Sequence, residues 1–117
     1  MAPIRDFVQA LGQYEGVETV VVLGSDGLTI DSCSSNGLDS DGVAALVPSF
    51  VNACAKLGEV GIRGEFNTCV MEYGDGFMVV SVVTADALIT VVVRSGTNVG
   101  GLLYELRRYR TAIAELL

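Results

Sequence analysis

The 117-residue chain contains no histidine and no tryptophan. Without histidine it lacks the side chain that most often serves as a general base near neutral pH and most often ligates metals. Most hydrolase mechanisms and most zinc sites lose their support on that ground. Cations are scarce: 7 Lys and Arg stand against 14 Asp and Glu, a net charge of −7. Nucleic acid and anionic membrane surfaces both require clustered positive charge, so neither is expected as the main partner. Cysteine occurs three times, as Cys33, Cys54 and Cys69. The odd number and the lack of a CxxC pair argue against a disulfide framework and for a reducing, cytoplasmic setting. No continuous apolar run approaches the roughly 20 residues of a membrane span. The N-terminal MAPIRDF carries Asp6 and no apolar signal core, so neither membrane insertion nor a secretory signal is expected.

What the chain has in excess is apolar surface. Half its residues are hydrophobic and its mean hydropathy is +0.51. Its length suits a single domain over residues 1–117 with one core. The surplus must be covered by that core, by a subunit interface, or by both, and both are expected.

The chain is organised around residues 17–34, VETVVVLGSDGLTIDSCS, which read as a β-hairpin. Residues 19–23 are β-branched and apolar without alternation, as in a strand covered on both faces. Asp26-Gly27 is the pair that a tight turn with positive φ favours. Residues 28–32 alternate apolar and polar, which suits a half-exposed strand near a sheet edge. Before the hairpin, residues 3–14 carry Ile4, Phe7, Val8 and Leu11 at helical spacing. Pro3 fits the first turn of that helix, and Gly16 a left-handed cap after it.

After a polar loop in which Asp39, Ser40 or Asp41 can act as N-cap, residues 42–56 form a second helix. Val43, Leu46, Val47, Phe50, Cys54 and Leu57 give it a broad apolar stripe, and Ala44, Val51 and Ala55 extend that stripe sideways. Pro48 lies inside it, where a backbone hydrogen bond is lost. A surface helix of a monomer normally presents a polar face. This one has little beyond Ser49, Asn52 and Lys56, and so small a domain has little room to bury it. It reads as an interface helix.

Residues 57–64 form a glycine-rich connection. Strands follow at 65–73, 77–83 and 88–94, joined by short turns into an antiparallel meander. The last two are apolar on both faces and belong centrally, whereas the first, with Glu65, Asn67, Thr68 and Glu72, belongs near an edge. Residues 98–117 close the chain as a helix whose core face is Val99, Leu102, Leu103, Leu106, Tyr109 (or Arg110), Ile113 and Leu117. The fold class is therefore α+β: a single five-stranded antiparallel sheet with helices on both faces, in the order helix, two strands, helix, three strands, helix.

No catalytic, cofactor-binding or metal-binding residue emerges. Residues 95–101, SGTNVGG, lead from strand to helix but match neither a phosphate loop with its lysine nor GxGxxG, and serve as a turn with close packing. Asp26, Asp31, Asp39 and Asp41 lack calcium-loop spacing and suit turns and caps. The cysteines have no histidine partner. Arg107, Arg108 and Arg110 read as a solvated face beside the end of a helix.

The hairpin core Asp26-Gly27-Leu28-Thr29-Ile30-Asp31-Ser32, the helix ending Leu57-Gly58 and the NVGGLL start of the last helix resemble the Roadblock/dynein light chain domain family, with its bacterial MglB-like members. The resemblance covers essentially the whole chain. It implies a homodimer in which the second helices pack antiparallel and the third strands meet across the axis. It also implies binding to a small Ras-like GTPase, whose nucleotide hydrolysis MglB-like members promote. On that basis Val43, Val47, Phe50, Val51, Cys54, Arg63, Glu65, Asn67 and Cys69 are expected at the dimer or partner interface, without any cofactor. The alternative is a small-molecule or lipid-binding sensor of similar mixed fold.

Overall fold

In the first strand, β1 (Val17–Gly24), Val20, Val21, Val22 and Leu23 are all buried. Successive side chains of a strand point to opposite faces, so burial of all four requires cover on both. The computed structural model, which describes residues 4–35 and 37–117, supplies that cover. Val20 and Val22 pack with Ile89, Val91, Leu102, Leu106 and Ile113, whereas Val21 and Leu23 pack with Ala44, Val47, Val80 and Leu88.

Among the described residues eight elements build this arrangement: α1 (Ile4–Gly12), β1, β2 (Thr29–Ser34), α2 (Ser40–Val60), β3 (Thr68–Tyr73), β4 (Gly76–Thr84), β5 (Ala87–Arg94) and α3 (Val99–Ala114). The sheet is antiparallel, with strand order β2-β1-β5-β4-β3. α1 and α3 cover one face and α2 the other. The α+β class, the element order and the helices on both faces agree with the reading of the sequence.

The β1–β2 turn closes with the Gly24 N–H on the Leu28 carbonyl (2.9 Å) and the Gly27 N–H on the Gly24 carbonyl (3.0 Å). Gly27 has φ +84°, and Asp26 accepts the Leu28 N–H at 3.1 Å. The Asp-Gly pair thus does what its chemistry suggests. Gly16, at φ +96°, is the left-handed residue after α1.

Several boundaries differ from the sequence reading. The Pro3 position lies outside the described residues. α2 begins at Ser40 and continues to Val60, so half of the expected glycine-rich connection is helical. Gly58 is tolerated there because its missing side chain admits the returning loop: a Cβ would stand 2.8 Å from the Gly64 carbonyl oxygen. β3 starts at Thr68, leaving Glu65 and Asn67 in the preceding loop. α3 ends at Ala114, and Leu117, expected on the core face, is half exposed.

Candidate interface on the second helix

α2 is fixed at its start by its own acids. Asp39 is the N-cap, its Oδ1 accepting the Gly42 N–H at 3.0 Å. Asp41 accepts the Thr29 hydroxyl at 2.8 Å and ties the first turn to β2. The helix then runs through Pro48 to Val60 with only Ala44 and Val47 fully buried. At 21 residues and a mean hydropathy of 1.3 over its most apolar window, it is long and apolar enough to cross a membrane by length and composition. The uninterrupted apolar runs within it stay short, as read from the sequence. Ser49, Asn52 and Lys56 break the runs without lowering the average, because the residues between them are apolar.

The helix has an inner and an outer side. On the inner side Ala44 and Val47, with Val43, Phe50 and Val51 half-buried beside them, pack on the sheet layer of Val21, Leu23, Val80 and Leu88. An apolar groove of about 370 Å³ opens along one flank between Val43, Leu46 and Phe50 of α2 and Met71, Tyr73 and Met78 of β3 and β4. A larger cleft of about 930 Å³ opens at the C-terminal half, between Val51 and Ala55, the 61–66 loop and the β4–β5 turn.

On the outer side Leu46, Ala53, Leu57 and Val60 are exposed, and with the half-buried Val43 and Phe50 at the margin they follow one another at spacings of three and four. That alternation is the seam of paired helices. Leu46 is 75% exposed, Leu57 71% and Val60 83%. Exposed aliphatic side chains at this spacing are unusual on a monomer surface.

The helix ends abnormally. The Ile62 N–H bonds the Glu59 carbonyl (3.1 Å) and the Arg63 N–H bonds the Gly58 carbonyl (2.9 Å). This double bond pattern places the residue after the C-cap in the left-handed region, where glycine is usual. Here that residue is Ile62, at φ +54°, and it is 83% exposed. For a β-branched residue such a backbone costs on the order of 1–2 kcal/mol.

Of the nine residues expected at the interface, Val43, Val47 and Phe50 line the 370 Å³ groove. Val47 is buried and Val51 half-buried, both against the chain's own sheet. Cys54 on α2 and Cys69 on β3 are half-buried neighbours. Burial, and secondarily the nearby Cys69, push the Cys54 thiol above its ordinary pKa, so at neutral pH it stays protonated. Arg63 and Glu65 are exposed in the loop after α2, with the Arg63 Nη1 donating to the Ile62 carbonyl at 3.0 Å. Asn67 lies just before β3, its carbonyl accepting the Val82 N–H (2.9 Å) and the Ser81 hydroxyl (3.2 Å). Leu46, Ala53, Leu57 and Val60 were absent from the expected set. Their three-and-four spacing is the signal in the sequence that marks them, once Val47 and Val51 are assigned to the inner side.

The polar motifs are engaged locally. Asn98 caps α3 through the Gly101 N–H at 3.1 Å, and the Thr97 hydroxyl donates to the Arg94 carbonyl at 2.6 Å. Asp31 pairs with Arg5 at 2.7 Å. Of the three arginines of α3, Arg107 and Arg108 are exposed, as a solvated face requires, but none lies in the last turn. Arg108 pairs with Glu105 at 3.1 Å. Arg110 is half-buried and donates to the buried Ser81 hydroxyl at 2.8 Å, pinning α3 to β4.

No curated protein matches the chain. Among solved structures it resembles MglB of Myxococcus xanthus, with a TM-score of 0.89 at 17% identity, over 97% of this chain and 93% of that one. An MglB with a tetrameric arrangement gives 0.89 at 16% identity, over 97% and 86%. A Roadblock/LC7 domain from Streptomyces avermitilis gives 0.87 at 18% identity, over 97% of both chains. At these identities the likeness speaks for the fold. The sequence model of the Roadblock/LC7 domain matches residues 4–93, most of the chain, and the protein accordingly belongs to the Roadblock/LC7 domain family.

Proposed function

We propose that this protein is a non-enzymatic, cytoplasmic homodimeric adaptor that binds a small Ras-like GTPase and stimulates its GTP hydrolysis. The observation that carries the reading is the exposed aliphatic seam of α2. The seam is self-complementary: in an antiparallel pair centred on Ala53, Leu46 faces Val60 of the second copy and Phe50 faces Leu57. Alanine at the centre lets the two helices approach closely, and a symmetric interface of this kind closes at two copies. Burying each exposed Leu or Val contributes roughly 1.5–3 kcal/mol. Lipid is a poorer cover than a second helix, because α2 is docked on its own sheet and carries Asp41, Lys56 and Glu59. Family membership and the MglB likeness favour a GTPase as the partner of the assembled dimer. A dimer face acts by favouring the hydrolysis-competent arrangement of the partner's own switch loops.

The test is Leu57→Asp. Leu57 is exposed in the single chain, so the variant keeps its fold and its circular dichroism. It is expected to sediment as a monomer at micromolar concentration, where the parent sediments as a dimer, and to lose capture of Ras-like GTPases from the native lysate. A monomeric parent, or a Leu57→Asp variant that still pairs and still captures a GTPase, refutes the assignment.

A further inference from the structure

Ile62 is the one non-glycine with positive φ among the described residues. Its strain is avoidable. Gly61, one position earlier, takes an ordinary helical φ of −79°, although a Cβ there would stand 3.1 Å from the Leu57 carbonyl oxygen, so the left-handed conformation falls on isoleucine and not on the adjacent glycine. Both hydrogen bonds that close the helix end use backbone groups alone, so a glycine at position 62 would make them equally well. The side chain gains little within its own chain, being 83% exposed at the rim of the 930 Å³ cleft. A strained residue that its own fold does not need is a pointer to function.

We propose that the Ile62 side chain is a dimerisation knob: it enters the 370 Å³ apolar groove of a second copy, and pairing offsets the strain of its backbone. The inference rests on the antiparallel pairing of α2 and deepens it. With Ala53 at the centre, the segment just past Val60 comes opposite the first turns of the partner helix. There Val43, Leu46, Met71, Tyr73 and Met78 wall an apolar cavity. The groove is large enough for a branched side chain of four carbons and offers it apolar walls. By symmetry each dimer contains two such insertions, so a small gain at one site counts twice. The strained conformation also holds the knob in place before contact, since the helix-ending bonds fix the backbone on either side. This lowers the ordering cost of association.

The experiment compares Ile62→Gly and Ile62→Asn with the parent. Both substitutes accept the left-handed backbone and both remove the apolar side chain. Dimer dissociation is measured by sedimentation equilibrium, and urea unfolding is measured in the monomeric Leu57→Asp background. The expected result is a dissociation constant raised at least tenfold in both variants, with an unfolding midpoint that rises or holds for Ile62→Asn. Ile62→Val, which keeps a branched aliphatic side chain, should restore most of the affinity. A parent that dimerises while both variants dimerise equally well overturns the knob and leaves the dimer standing. An unfolding midpoint that falls for both variants in the monomeric background overturns the claim that the conformation is strained for the partner's sake. A parent that is itself monomeric overturns this inference and the dimer together.

Discussion

Thr90 is the residue most at odds with its surroundings. It sits on β5 between Val21 and Val80, in the layer beneath α2, fully buried. Among the described residues its hydroxyl has no hydrogen-bond partner. A buried polar group left unpaired loses its hydration and gains nothing in return. Valine has nearly the same shape and would meet Val21 and Val80 with a methyl group instead. Thr90→Val should therefore raise the free energy of unfolding by about 1 kcal/mol, read as a higher urea midpoint at unchanged slope. An equal or lower midpoint would mean that the hydroxyl is satisfied in solution. The contrast with Ser81 is instructive. Ser81 is equally buried, yet it is bonded to Arg110, Thr68 and the Asn67 carbonyl. One buried hydroxyl anchors a helix and the other is a candidate for removal.

The two edge strands differ in the same way that these two hydroxyls do. On β2 the backbone of Ser32 is capped twice: its N–H donates to Asp31 at 2.8 Å and its carbonyl accepts from Arg5 at 2.8 Å. The Arg5–Asp31 ion pair holds both caps in place and keeps another strand from pairing there. On β3, among the described residues, no side chain occupies the outer backbone in this way, and Val70 is 40% exposed. Removing the plug with Arg5→Ala should cost about 1 kcal/mol of stability or less, because Arg5 is half exposed. It should also produce species larger than the parent assembly in sedimentation velocity at raised concentration. Unchanged assembly would show that the edge is blocked by something else. Much of this element-level picture was legible in the chain. The hairpin announced itself through Asp26-Gly27, and the interior strands through Val79-Val80 and Leu88-Ile89, because turn chemistry and double-sided burial leave local marks. The start of β3 was not legible, since Asn67 pairs through its backbone carbonyl, which any residue offers. Nor was the division of α2 into inner and outer sides. Val51 and Leu57 are equally apolar, and only the position of the sheet assigns one inward and the other outward. The positive φ of Ile62 was hidden for a related reason: with glycines at 58, 61 and 64, the sequence does not say which turn they serve.

At the scale of the whole molecule, the distribution of cations bears on how a GTPase would be stimulated. An arginine finger must project from a loop toward the transferring phosphate. Arg5 is held by Asp31, Arg108 by Glu105 and Arg110 by Ser81. Arg63 is exposed in a loop beside the α2 surface, though its guanidinium donates to the neighbouring Ile62 carbonyl. If stimulation comes from a packed dimer face, Arg63→Ala should lower the GTPase rate at saturation by less than about tenfold, against the 10³-fold or more attributed to a true finger. Single-turnover hydrolysis with the captured GTPase decides between them, and a loss of finger size with binding intact would assign Arg63 that role. The plugged edge has a consequence at this scale too. A sheet with both edges open is a bifunctional monomer, which polymerises without limit as concentration rises. With Arg5 and Asp31 in place the molecule has a sheet valence of one. Through its sheet alone such a body can only pair, so any longer chain has to be built through another face.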